Sequence, residues 1–196
     1  MLRPIIQGGM GIYVSTPFLA NAVSRRGSLG TVSGAAADKI LVRVLQSGDP
    51  DDHYRRALEH FPFPSVAQMV LDAYFVSDGI APAARYKTIP RQTFKPTQLA
   101  IALHLCANFA FVWLAKEGHA NPVSINWLEK MSLVHLYAIY GAMLASVDAV
   151  TMGAGIPLQI PGVLDAYARG DPAEYRVPIT GGAGGTVPMR FDPTEY

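Results

Sequence analysis

Glycines follow several short apolar runs of the chain, and these positions are the first candidates for a ligand site. Gly8 and Gly9 come directly after the apolar run at residues 4–7, and Gly153 ends another run at residues 149–152. Glycine lets a backbone approach a flat ligand closely and leaves its N–H groups unobstructed. The pattern therefore favours a planar heteroaromatic cofactor, while tight turns between strand and helix would select glycine as well.

The elements that must position these loops alternate between strand and helix. Strands are predicted at residues 4–7, 29–33, 123–126 and 149–152, and helices after Thr16 and at residues 38–46, 51–60, 65–75, 97–116, 133–146 and 161–169. The first helix has Ser15 or Thr16 as its N-cap and Pro17 in its first turn. Strands joined through helices run parallel, so the sequence predicts one α/β domain over residues 1–196 with about four βα units.

An insertion at about residues 47–97 separates the second predicted unit from the third. Two of its segments have helical periodicity, and residues 77–96 contain three prolines and five charged residues with little apolar periodicity. Such a segment is predicted to be irregular and to lie over the surface of the domain.

Composition excludes several classes of protein. The formal net charge is +1 and basic residues form no cluster, so nucleic acid is not an expected partner. Cys106 is the only cysteine, which excludes an internal disulfide, and the five histidines show no metal-ligand spacing. The first residues lack the pattern of a secretory signal, which predicts a cytoplasmic protein.

One segment is apolar enough to raise the question of a membrane. Residues 99–115 carry no charge, but the stretch is short for a span and contains His104 and Asn108. We therefore expect a buried helix of a soluble domain rather than a transmembrane segment.

Three runs of sequence carry a family resemblance. Residues 5–34, IIQGGMGIYVSTPFLANAVSRRGSLGTVSG, resemble the opening of the nitronate monooxygenases, formerly called 2-nitropropane dioxygenases. Residues 115–130, AKEGHANPVSINWLEK, and 140–157, YGAMLASVDAVTMGAGIP, are similar to a subgroup that includes enoyl-reductase-like subunits of polyunsaturated fatty-acid synthases. The resemblance implies the N-terminal half of a TIM-type (β/α)8 barrel, interrupted by the insertion.

The same resemblance implies FMN bound without a covalent link at the carboxyl ends of the strands. The residues that it places at the cofactor are Gln7, Gly8, Gly9, Met10, Ser33 and Asn126. The amide of Asn126 offers both a donor and an acceptor, which suits the alternating groups of the flavin pyrimidine edge. Asn126 could instead cap its own turn, and Met10 could be an ordinary core residue. Glu129 and Lys130 are interpreted as a solvated pair.

The activity implied is that of an FMN-dependent oxidoreductase that oxidises a small nitronate or similar carbon acid with O2. The alternatives are a flavin-dependent enoyl (acyl carrier protein) reductase and a non-catalytic half-barrel fragment or subunit. The Gly-Gly-His segment that supplies the family's catalytic base does not occur, so the catalytic residues are left unassigned. A half-barrel leaves open sheet edges, which predicts self-association or a missing C-terminal half. The glycine run at residues 181–185 could bind phosphate through its N–H groups.

Overall fold

A computed structural model describes residues 5–179 and 184–196, which form a mixed α/β protein. The helices are α1 (Pro17–Arg25), α2 (Ala37–Gln46), α3 (His53–Glu59), α4 (Pro64–Tyr74), α5 (Gln98–Lys116), α6 (His135–Leu144) and α7 (Ile160–Ala168). The strands are β1 (Gly30–Ser33), β2 (Val123–Leu128), β3 (Ala149–Gly153), β4 (Ala173–Pro178) and β5 (Thr186–Phe191), and a short 3-10 helix follows at Pro193–Glu195.

The central sheet contains three parallel strands in the order β1–β2–β3, which confirms the predicted parallel α/β arrangement. Ser33 lies beside Asn126 in this register, and Asn126 lies beside Thr151, so the carboxyl ends of the strands form one edge. The strand predicted at residues 4–7 is much shorter than expected. Within the described residues it amounts to a single parallel bridge between Ile6 and Leu29, next to β1.

The first helix begins as its sequence predicts. The hydroxyl of Thr16 accepts a hydrogen bond from the Leu19 N–H, and Pro17 occupies the first turn, where its missing N–H costs nothing. The helix then packs tightly on β1, because a Cβ added at Gly30 would overlap the carbonyl of Ala20. This close approach sets the spacing between α1 and the sheet.

The longest helix, α5, forms the centre of the core. It has 19 residues, an uncharged middle and a Thr97 N-cap, and it passes the length and hydropathy test for a membrane span. Most of its surface is nevertheless covered by α1 to α4, by α6 and by the sheet, which confirms the expected buried helix. At Gly141 the backbones of α5 and α6 meet, since an added Cβ there would overlap the Leu105 carbonyl.

An antiparallel hairpin of β4 and β5 follows α7, and the sequence interpretation did not include it. Both strands alternate between buried and exposed positions, the pattern of a half-buried ribbon. Aromatic rings hold the hairpin and the last residues against α6 and α7; they belong to Tyr137, Tyr140, Tyr167, Phe191 and Tyr196.

The insertion between β1 and β2 contains the two helices and the irregular segment that the sequence predicts. It supplies α3 and α4, and residues 75–97 contain neither helix nor strand. Most of this irregular segment is exposed, as expected for a surface excursion.

Candidate functional site

The loop after Ile6 folds over the carboxyl edge of the sheet, and Ser15 holds it in place. The buried Ser15 hydroxyl accepts hydrogen bonds from the Met10 N–H and from Gln7 Nε2, both at 3.0 Å, and donates to the Gly8 carbonyl at 3.2 Å. The Ser15 carbonyl accepts from the Ser33 N–H at 2.9 Å. A single serine therefore joins the start of the loop to the end of β1.

The side chain of Gln7 continues the sheet where the first strand stops. Its Oε1 accepts from the Thr31 N–H at 2.9 Å, in the position that a strand carbonyl would otherwise fill. The Ser33 hydroxyl donates to the Gly11 carbonyl and so joins the end of β1 to the first loop. Gln7 and Ser33 are thus engaged in shaping the loop.

Gly9 brings the loop into direct contact with the end of β2. A Cβ added to Gly9 would overlap the Cβ of Asn126 and crowd its carboxamide, so only glycine fits at this point. Asn126 lies on the face of β2 opposite to the buried Ile125 and Trp127, as the period of a strand requires. The structure therefore brings the first loop, Ser33 and Asn126 together, as the sequence interpretation grouped them.

Three polar groups at this edge have spare hydrogen-bonding capacity. Among the described residues, the N–H groups of Gly8 and Gly9 have no acceptor and Asn126 Oδ1 has no donor. Asn126 Nδ2 makes only long contacts, 3.4 Å to the Trp127 carbonyl and 3.3 Å to the Thr151 carbonyl. Two backbone donors and a carboxamide at one edge could bind a planar ligand that alternates acceptors and donors.

Exposed apolar side chains lie on two loops at this edge of the sheet. Met10, Ile12 and Val14 project from the first loop, and Ile156 and Leu158 project from the loop that follows β3. Leu158 is 83% exposed and Met10 is 62% exposed. Apolar side chains around a few convergent polar groups are the usual composition of a small-molecule site.

A buried polar chain lies behind the sheet and was not predicted as a unit. The indole N–H of Trp127 donates to Asn108 Oδ1 at 3.1 Å, and Asn108 Nδ2 donates to the His104 carbonyl at 2.8 Å. His104 Nε2 in turn lies 3.8 Å from Asp38 Oδ2. The spacing of His104 and Asn108 on one face of α5 was visible in the sequence, but their partners on β2 and α2 were not.

A second cluster connects the end of β2 to the hairpin. The Tyr175 hydroxyl donates to Glu129 Oε1 at 3.2 Å, and the Tyr175 ring packs edge-on against His135 at 5.2 Å between ring centroids. Burial, and then the nearby Glu129 carboxylate, raise the pKa of Tyr175 to about 12. Glu129 is half-buried and its carboxylate accepts from Tyr175, so the predicted pair of Glu129 with Lys130 does not form among the described residues.

The two buried histidines should make the free energy of unfolding depend on pH. Burial lowers the pKa of His104 and of His135 below 6.5, with Asp38 partly opposing this at His104. The unfolded chain therefore binds protons that the folded chain does not, so the stabilisation is complete above pH 6.5 and is lost as the pH falls below it. Each histidine contributes a slope of up to about 1.4 kcal/mol per pH unit.

Urea denaturation between pH 7.5 and 5 measures this effect. Replacing His135 with glutamine should flatten the profile, and the same replacement of the exposed His60 after α3 is the matched control. A free energy of unfolding that stays constant down to pH 5 would contradict the prediction.

No cluster of three or more metal-binding side chains occurs within residues 5–179 and 184–196. None of the five histidines lies at the strand edge with an accessible ring: His104 and His135 are buried, and His119 bonds the Ala115 carbonyl at the end of α5. The glycine run at residues 181–185 lies mostly outside the described residues. No family model, curated protein or solved structure matches the chain.

Proposed function

We propose that this protein binds FMN at the carboxyl edge of its sheet and acts as an oxidoreductase of the nitronate monooxygenase type. The observation that carries the proposal is the contact of Gly9 with Asn126 at the carboxyl edge of the sheet. Among the described residues, the N–H groups of Gly8 and Gly9 have no acceptor there and Asn126 Oδ1 has no donor, and exposed apolar side chains lie on the adjoining loops. The sequential parallel order of the strands fits the first part of a (β/α) barrel, whose active face lies at this edge.

The residues present fit the pyrimidine edge of a flavin. That edge alternates carbonyl and N–H groups, which matches the two glycine N–H donors and the paired donor and acceptor of Asn126. Gln7, Met10 and Ser33 support the same site indirectly, because their polar groups hold the loop in the shape that presents the glycines. When bound, the flavin would supply the electron transfer, and this chain would hold and orient it.

The absence of an accessible histidine at the described edge is compatible with a nitronate as the substrate. A nitronate is already a deprotonated carbon acid, so its oxidation needs no protein group to remove a proton from carbon. The side chains of Met10 and Leu158 offer an apolar cover for a small substrate over the ring. O2 is the proposed electron acceptor.

The open edges of the sheet are part of the same proposal. Within the described residues, the outer edge of β3 has no strand partner, and the bridge at Ile6 leaves the opposite edge nearly unpaired. A closed barrel needs more strands at both edges, supplied by a second copy or by further chain. Ile5 and Ile6 at one edge are exposed and apolar, as a strand awaiting a partner would be.

Replacing Asn126 with alanine is the direct test of the flavin edge. We expect FMN to bind more weakly by about 1–3 kcal/mol, because a ligand group loses its hydrogen-bond partner in a partly buried site. Quenching of flavin fluorescence during titration measures the dissociation constant. Asn121→Ala, just before β2 at the other end of the sheet, is the matched control and should bind FMN normally.

Three outcomes would count against the proposal. An unchanged dissociation constant for Asn126→Ala would remove this residue from the site. A folded protein that binds no FMN at all would favour the non-catalytic fragment or subunit. The FMN-bound protein is expected to consume oxygen when a nitronate is added. Reduction of an enoyl thioester, with no oxygen consumption on a nitronate, would favour the enoyl reductase.

A further inference from the structure

A groove on the outer side of the domain concentrates positive charge. It lies between α2 and residues 86–89 of the insertion and has a volume of about 560 Å³. Lys39 and Arg43 line one wall, one helical turn apart on α2, and Lys87 lines the opposite wall. Ile40, Val42 and Ile89 give the groove an apolar surface between the cations.

The two walls are fixed to each other by a buried glutamine. Gln46 Oε1 accepts from the Lys87 N–H at 2.7 Å, and Gln46 Nε2 donates to the Lys87 carbonyl at 3.2 Å. The hydroxyl groups of Tyr86 and Ser47 add a bond of 3.0 Å. The irregular segment is therefore held against α2 at this point, and the groove has a defined width.

The positive charges of the groove are not neutralised by nearby acids. Among the described residues, no carboxylate lies within ion-pair distance of Lys39, Arg43 or Lys87. The guanidinium of Arg43 instead stacks over the Tyr86 ring at 4.2 Å, and Lys87 Nζ donates to the Ala73 carbonyl. Stacking restricts the guanidinium and leaves its N–H groups available to an anion. This local excess contrasts with a net charge of only +1 for the chain.

We propose that the groove binds an amphipathic phosphate monoester. The phosphate carries close to two negative charges at neutral pH and would lie among the three cations, with Arg43 as a bidentate donor. The apolar body of the ligand would lie along Ile40 and Ile89. This site shares no lining residue with the strand edge that we assign to the flavin, and it does not depend on flavin binding.

Calorimetric titration of the full chain with octyl phosphate tests this inference. We expect saturable binding that weakens at least tenfold in the double variant Lys39→Gln/Arg43→Gln. Both side chains are exposed, so the fold should persist, and circular dichroism checks this. Lys95→Gln, an exposed cation outside the groove, is the matched control and should bind like the parent protein.

Octanol and octyltrimethylammonium separate the contributions of the head group and the chain. Both should bind far more weakly than octyl phosphate. No saturable binding of octyl phosphate, equal binding by the double variant, or equal binding of octyltrimethylammonium would each overturn the proposal. Because FMN is itself a phosphate monoester, riboflavin, which lacks the phosphate, is the flavin probe here. Its affinity should be the same in the double variant and the parent, and a loss in the double variant would mean that the groove is not a separate site. No riboflavin binding by either protein would count only against the flavin proposal.

Discussion

Replacement of Trp127 by alanine is expected to lower the free energy of unfolding by about 3–5 kcal/mol. Trp127 is fully buried in the middle of the core, on the helix-facing side of β2. Its removal leaves a large cavity and also deprives Asn108 Oδ1 of its indole donor. Gly34 rests directly against the indole ring, so the end of β1 would lose its support as well.

Urea denaturation followed by circular dichroism measures this loss. Trp127→Phe separates the two contributions, because phenylalanine restores much of the volume but not the N–H; its cost should be about 1–3 kcal/mol. Trp113→Ala, at a half-buried position beside His60, is the matched control with a smaller expected loss. Equal losses for Trp127→Ala and Trp113→Ala would show that the network behind the sheet contributes little.

Replacement of Gly9 by valine is expected to abolish FMN binding while changing global stability only slightly. The new side chain would overlap Asn126, so either the loop must move off the strand edge or the carboxamide must turn away. Both movements remove the arrangement that we assign to the flavin edge. Because the loop is exposed around Gly9, its displacement disturbs little of the core.

Flavin titration and thermal denaturation of the same variant measure the two expectations. Gly162→Ala is the matched control, because an added Cβ in α7 meets nothing within 4 Å. Gly8→Ala gives a different kind of information, because a Cβ added at Gly8 meets no protein atom within 4 Å. Weaker FMN binding by this variant would place the ligand itself against Gly8. Normal FMN binding by Gly9→Val would contradict the assignment of this edge.

Elements whose signals are local in the chain were predictable. Thr16 and Pro17 start α1, Thr97 starts α5, and the apolar runs that became β2 and β3 were recognised from composition and turns. The capping hydroxyls bond N–H groups only three residues away, so the information lies within one turn. The parallel order of the sheet followed because strands joined through helices have little choice of direction.

The sequence was less informative where a short segment depends on distant partners. Residues 4–7 were predicted as a full strand, but the described part pairs only at Ile6, because the Gln7 side chain replaces the next backbone bond. The β4–β5 hairpin depends on aromatic contacts with α6 and α7, which are formed by residues far apart in the chain.

The same difference between local signals and contacts with distant residues applies to the candidate site. Strand direction places the glycines and the carboxamide that follow the parallel strands at one edge, so their grouping is predictable from the amino-acid sequence. Tertiary packing is needed to show that Gly9 touches Asn126, that Ser15 accepts from the Met10 N–H, and that Glu129 accepts from Tyr175. Those contacts depend on how closely separate elements pack against each other. The spacing of residues along the chain does not specify that distance.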